Sequence, residues 1–147
     1  MQVIRLLMTK DRATFTGRHY QLAGASYHPK PVQQPHPPIW IGAGGEQLML
    51  PIVARQADAW HAFGSGDSMA RKSRLLDQLA EKAGRDPKAI LRSASLSLSR
   101  PWDQVRRRAA NLRAAGFSYL IAEWPSEGKG RITEFVEKVM PEFASGG

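Results

Sequence analysis

A chain of 147 residues, 42% of them apolar, is long enough for one ordinary domain with its own core. It has no cysteine, which excludes a disulfide framework, a thiolate metal site and a cysteine nucleophile, and its net charge of +8 raises the question of a polyanion partner. No apolar run approaches the roughly 18 residues of a membrane span, and Met1-Gln2-Val3-Ile4-Arg5 lacks the basic-then-apolar layout of a signal peptide, so a cytoplasmic protein is expected.

Val3, Ile4, Leu7 and Met8 recur at helical spacing, yet no Ser, Thr, Asp or Asn precedes them as a cap. The chain therefore reads as starting inside a helix. Thr14-Phe15-Thr16-Gly17-Arg18-His19-Tyr20 reads as a short strand pair around Gly17. Residues 11–38 form an irregular Pro-rich excursion, with five prolines between Leu22 and Pro38 that argue for extended chain without helix.

Four strand-plus-helix units follow. Ile39-Trp40-Ile41 leads through glycines to a helix ending near Gln56. Pro51 would kink that helix if it began at Glu46; alternatively the loop is longer and the helix starts nearer Leu48. Residues 57–63 form the second strand, and Asp67 or Ser68 can cap a helix from Met69 to Ala83, closed by Gly84. Asp86-Pro87 starts a short turn, and Leu91 to Leu98 is the third strand. Ser99 is expected to cap a helix from Pro101 to Ala115, ended by Gly116. Residues 117–122 are the fourth strand, and a helix from Ile132 to Met140 closes the chain, leaving 144–147 as a tail. This alternation implies a parallel sheet with helical crossovers, and no domain boundary or internal repeat stands out.

The cluster Arg106-Arg107-Arg108 falls on a helix whose apolar face is Val105, Ala109 and Leu112, so it reads as a solvated face. No helix-turn-helix spacing, aromatic RNA-binding strand or zinc knuckle accompanies it, and no specific nucleic-acid partner is expected.

The densest signal is Pro37-Pro38-Ile39-Trp40-Ile41-Gly42-Ala43-Gly44-Gly45, where an apolar strand empties into three glycines before a helix. Glycines permit positive φ and close approach, so successive N–H groups can converge on an anion. A dinucleotide fingerprint would need glycine where Gln47 stands, and a P-loop would need Gly-Lys-Ser/Thr where Gly45-Glu46-Gln47 stands.

Together with Ala54-Arg55-Gln56-Ala57-Asp58-Ala59-Trp60 and Ala115-Gly116-Phe117-Ser118-Tyr119-Leu120-Ile121, this segment resembles the luciferase-like monooxygenase family, and more closely its branch using the deazaflavin F420. Phe15 to Tyr20 resembles the approach to the fifth strand in that family. The resemblance runs from about Val3 to Phe143. It implies an α/β fold, namely strands five to eight of a (β/α)8 barrel, in a single partial domain over 1–147. Such barrels usually need about 250 residues. The start inside a helix agrees, and implies a truncated product, a split chain or a misplaced start codon.

The resemblance also implies a flavin- or F420-dependent oxidoreductase acting on a small molecule, with FMN as the alternative cofactor and an FMN-dependent monooxygenase as the alternative activity. In the family the glycine loop lies beside the cofactor phosphate, a role carried onto Gly42, Ala43, Gly44 and Gly45. A barrel gathers function at the C-terminal ends of its strands. His61 and Glu123 lie at such ends and are the candidate proton-transfer groups, weighed against a structural histidine and a loop salt bridge. Trp40 and Trp124 read as packing residues. His19, His28 and His36 have no periodic partner, and no metal is assigned. A half-barrel leaves two strand edges open, so homo-oligomers or association through those edges are expected, as is an inactive half-barrel as the rival reading.

Overall fold

In a computed structural model, residues 1–144 are described, and the chain divides into two compact units, Met1–Ile39 and Trp40–Gly147. In the first, helix α1 (Gln2–Thr9) carries no side-chain N-terminal cap, as its sequence implies. Its C-terminal end is closed by Lys30, whose ammonium donates to the carbonyls of Leu7 at 2.8 Å and Lys10 at 2.5 Å. A strand pair forms, but its second strand lies beyond the expected segment: β1 (Ala13–Thr16) runs antiparallel to β2 (Gln21–Ala25), and residues 17–20 are the turn, closed by the Gly17 N–H donating to the Tyr20 carbonyl. The Pro-rich remainder has no helix.

The second unit is the strand–helix alternation. Its elements are β3 (Trp40–Ala43), α2 (Met49–Gln56), β4 (Ala59–Ala62), α3 (Gly66–Lys82), β5 (Leu91–Ser97), α4 (Trp102–Ala114), β6 (Tyr119–Glu123), α5 (Lys129–Glu134) and α6 (Pro141–Ala144). The strands form one parallel sheet in the order β3-β4-β5-β6. Sequential order with helical crossovers is the α/β half-barrel arrangement expected from the sequence.

One face of the sheet packs on helices. Ala43, Trp60, Ala62 and Ala94 meet Leu50 and Val53 of α2 and Leu76 and Ala80 of α3, with Phe117 against Trp60 at 5.7 Å between rings. A second cluster joins Leu96 and Leu98 to Val105 and Ala109 of α4, with Trp102 and Phe135 beside it. Arg92 also points to this side and is buried. Its guanidinium meets Asp77 and donates to Ser73 Oγ at 2.6 Å, and Ser73 donates to the Ala115 carbonyl at 2.7 Å.

Several local expectations shift. Helix α2 begins at Met49, so Pro51 stands in its first turn, where a missing N–H costs nothing. Helix α3 begins three residues earlier than expected and is capped by Ser65 rather than Asp67 or Ser68. Ser68 serves from inside, accepting from the Ser65 N–H at 3.2 Å and donating to its carbonyl at 2.7 Å. Ser99 does not cap α4, whose N-cap is Pro101. Its hydroxyl instead donates to Glu127 at 2.7 Å and accepts from the Ser126 N–H at 3.1 Å, tying the loop after β5 to the loop after β6. The final helix is not continuous: a wide π turn over Phe135–Val139 separates α5 from α6, ahead of Pro141, which has no N–H to continue the ladder.

Candidate functional site

The strand register defines the face opposite the helices. Neighbours in a parallel ladder point the same way, so Gly42, His61, Ser93 and Tyr119 form one row across the four strands. Below it stand Trp40, Ala59 and Leu91. Further along stand Ser95 and Ile121, then Ser97 and Glu123. The sheet is strongly curved: Trp40 on β3 and Tyr119 on β6 have ring centroids 5.3 Å apart, edge to face, although two strands lie between them. These rings floor a concave surface at the N-terminal ends of the strands.

His61 stands one row above that floor. Its Nδ1 is 3.0 Å from Ser93 Oγ, and its ring meets Phe63 edge-on at 5.1 Å. Phe63, 56% exposed, lies over Gly42, where a Cβ would sit 3.4 Å from the phenyl ring. Glycine at 42 thus leaves room for an exposed aromatic ring.

The glycine loop is built from behind. The buried Trp60 indole donates to the Ala43 carbonyl at 2.8 Å, fixing the end of β3, and the Leu50 N–H donates to the Gly45 carbonyl at 3.0 Å. Gly42, Gly44 and Gly45 do not adopt positive φ, so the reason expected for glycine there is only half right. What they supply is space. Among the described residues the N–H groups of Gly44, Gly45, Glu46 and Gln47 have no hydrogen-bond acceptor, and α2 has neither a side-chain cap nor an acidic residue in its first turn.

A cation stands beside them that the sequence did not single out. Lys72 Nζ lies 3.5 Å from where a Cβ on Gly44 would be, held by donation to the Phe63 carbonyl at 3.3 Å. Arg71, one residue earlier, grips Glu46 with both guanidinium nitrogens at 2.5 and 2.7 Å. That bond, and the charges of Arg71 and Lys72, hold the Glu46 carboxyl below its ordinary pKa. Two cations against one carboxylate leave the loop locally positive.

Glu123 stands apart from His61. Its register partner is Ser97, placing it four residues beyond Tyr119, roughly 13 Å along the strand, and two strands across. It makes no salt bridge among the described residues, against the loop ion pair expected as the plain reading. It lines a cavity of about 480 Å³ with Ser95, Ser97, Arg100 and Arg108. Trp124 is 72% exposed beside it. The structure therefore brings His61, Phe63 and the glycine loop together and leaves Glu123 at the rim.

Comparison with known proteins gives a consistent picture. The profile of the family described as luciferase-like monooxygenase matches residues 1–140. An uncharacterized protein of Mycobacterium tuberculosis (strain ATCC 25618 / H37Rv) is 31% identical over 144 residues, which are 98% of this chain and 49% of that protein. The corresponding Mycobacterium bovis protein matches equally. The chain thus spans about half the length of the curated relatives it matches. Among solved structures, the coenzyme F420 dependent tetrahydromethanopterin reductase of Methanopyrus kandleri superposes with a TM-score of 0.82 at 14% identity, over 97% of this chain and 61% of that one. The long-chain alkane monooxygenase LadA gives 0.71 at 13% identity, over 90% and 46%. These likenesses establish the fold: a four-stranded part of a (β/α)8 barrel. Among the described residues no helix is long and apolar enough to cross a membrane.

Proposed function

The chain belongs to the luciferase-like monooxygenase family, and on that premise we propose that its second unit carries the phosphate side of a flavin-type cofactor site in an oxidoreductase. The observation that carries this reading is the coincidence at one strand end of unaccepted N–H groups, glycines that leave space, and the Lys72 ammonium. These residues fit a phosphate monoester: Gly44 and Gly45 present backbone donors, Lys72 supplies charge, and the uncapped start of α2 adds its dipole. Gly42 and Ala43 set the end of the strand that aims the loop.

F420 is the preferred cofactor and FMN the alternative, since both present a phosphate to such a loop. When bound, the cofactor supplies hydride transfer with a small-molecule substrate. The chain's own residues orient and exclude water. Phe63 offers an exposed aromatic face between the loop and His61. Ser93, fully buried, holds His61 by Nδ1, which leaves Nε2 as the atom able to donate or accept a proton. Glu123 lies at the rim, too far along the strand to share a proton with His61.

The test is a fluorescence titration of the protein with F420, FMN and riboflavin. Saturable binding of F420 and FMN with much weaker riboflavin binding is expected. Tight FMN binding without F420 turnover would reverse the cofactor preference, and equal affinity for riboflavin would remove the phosphate cradle. One observation favours a second reading, an inactive half-barrel: Trp40 and Tyr119 are 44% and 49% exposed, so the wall facing them is open. Binding without turnover is the signature of that case.

A further inference from the structure

We propose that the cavity at the C-terminal end of β5 is a second anion site, across β4 from the glycine loop, taking the carboxylate or phosphate group of a small acidic molecule. The anion site stands on its own geometry; that its occupant is the substrate rests on the oxidoreductase reading above.

The cavity, about 480 Å³, follows from unequal strand lengths. β4 ends at Ala62, opposite Ala94, whereas β5 continues to Ser97 against β6. Residues 95–97 therefore have no β4 neighbour. After β4 the chain turns away, with Gly64 and Gly66 at φ of +144° and +43°, and this loop becomes one wall. The gap lies between β4 and β5, the two inner strands of the sheet, rather than along either outer strand.

Its charge comes from the loop ahead of α4 and from the run Arg106-Arg107-Arg108, which is not one solvated face. Arg106 pairs with Glu142 of α6. Arg108 turns the other way and donates to the Gly64 carbonyl at 3.0 Å, joining α4 to the loop after β4. Arg100, Arg107 and Arg108 all line the cavity. Among the described residues Arg71, Arg92, Arg106 and Arg131 each pair with a carboxylate, but the guanidinium groups of Arg100 and Arg107 have no such partner. Glu123 lines the same cavity and is not paired with them. Three guanidiniums against one carboxylate repel one another until an anion joins them. Their planar forks match a carboxylate or a phosphate, and the hydroxyls of Ser95 and Ser97 add further donors.

The position of the cavity also says what kind of acid fits. Ser93, which holds His61, is followed on the same face of β5 by Ser95 and Ser97. At about 3.3 Å per residue they stand roughly 7 and 13 Å beyond Ser93. A molecule with its acid group among the arginines and its reacting carbon at His61 has several bonds between the two. That excludes a 2-hydroxy acid, whose carboxylate adjoins the reacting carbon.

Isothermal titration calorimetry of the full chain with glutarate, inorganic phosphate and neutral glutaramide tests the site without any cofactor. Saturable glutarate binding that weakens with salt is expected, with glutaramide silent. The double variant Arg100→Gln/Arg107→Gln should weaken it roughly tenfold. Both side chains are exposed, so an unchanged melting temperature should show that the fold is kept. Glu123→Gln should strengthen binding severalfold by removing the opposing charge. Lys72→Ala should leave glutarate binding as it is, and in that variant the tighter of glutarate and phosphate names the acid group. No saturable binding of either anion up to about 10 mM, equal binding of glutaramide, or unchanged affinity in the double arginine variant would overturn the proposal. Loss of glutarate binding in Lys72→Ala would overturn it too, by moving the anion to the glycine loop. Failure of FMN to bind would instead remove the cofactor reading, and with it only the assignment of the occupant as substrate.

Discussion

Lys72→Ala isolates the phosphate contact from everything else the site contributes. The ammonium is anchored on the Phe63 carbonyl at 3.3 Å and lies beside Gly44 rather than in the core. A unit charge about 4 Å from a phosphate oxygen is worth about 1 kcal/mol in water and about 4 kcal/mol near a protein surface. A charge-assisted hydrogen bond contributes about 1.5–3 kcal/mol. The side chain is half-exposed and Glu46 opposes it nearby, so the lower part of these ranges applies, about 1–2 kcal/mol. That corresponds to about 5- to 30-fold weaker FMN binding. The assay is quenching of flavin fluorescence at low and high salt, with riboflavin as the phosphate-free control. The wild-type protein should lose FMN affinity with salt, the variant less so, and riboflavin should be indifferent to the substitution. Equal losses for FMN and riboflavin would show that Lys72 shapes the loop instead of meeting a phosphate. No loss for FMN would remove it from the site.

Other substitutions probe the scaffold. Arg92→Ala leaves Asp77 and Ser73 without their partner behind the sheet. Since Asp77 is 40% exposed, the cost is put at about 2 kcal/mol in urea unfolding, below that of a fully buried pair. Gly64 has φ +144°, and a Cβ there would stand 2.7 Å from Ser68 Oγ, so Gly64→Ala should cost about 1–3 kcal/mol by the same measurement. Hydrogen bonds from Ser99, from its own backbone N–H and then from Ser126 hold Glu127 below its ordinary 4.5. Ser99→Ala should move that carboxyl back upward in a carbon-13 NMR titration. Glu46 and Glu142 are likewise depressed, by hydrogen bonds from Arg71 and Arg106. A folded-state pKa below the unfolded one gives stability that is complete above the unfolded value and lost as pH falls through the folded value. Unfolding on the acid side should therefore begin below about 4.5, and a stability loss centred near neutral pH would contradict it.

The alternation of strands and helices was legible because apolar runs and glycines mark it locally. Ala57 to Phe63 and Leu91 to Leu98 each contain the strand that forms, Ile39-Trp40-Ile41 overlaps β3 but stops two residues short of its end, and Gly84 and Gly116 end their helices as expected. What escaped were partners chosen across long separations. Ser99 looked like a cap because a helix follows it, yet its partners are 27 and 28 residues away. Lys72 is an unremarkable charge on α3, and only the packing of that helix beside the glycine loop gives it a neighbour. The Arg92–Asp77 pair sat inside an alternating strand pattern that has no symbol for a cation buried behind the sheet. Positive φ at Gly44 and Gly45 was a reasonable expectation, but the loop leaves β3 in ordinary conformations and needs glycine only for clearance.

That clearance bears on how much of the site half a barrel can keep. The end of β3 is held from the helix side, by Trp60 on the Ala43 carbonyl and by Leu50 and Val53 in the core beneath α2. None of these contacts depends on the concave face. The surface that would meet a cofactor ring is different: Phe63, His61 and Ile121 face a space whose far wall this chain does not form by itself. On this reading the loop keeps its phosphate affinity whatever covers the concave face, while ring affinity rests on that face. Inorganic phosphate should therefore compete with FMN, and Phe63→Ala should weaken FMN and riboflavin alike while leaving inhibition by phosphate unchanged. If that substitution leaves riboflavin binding untouched, the concave face contributes nothing to binding, and the division of labour between loop and lumen fails.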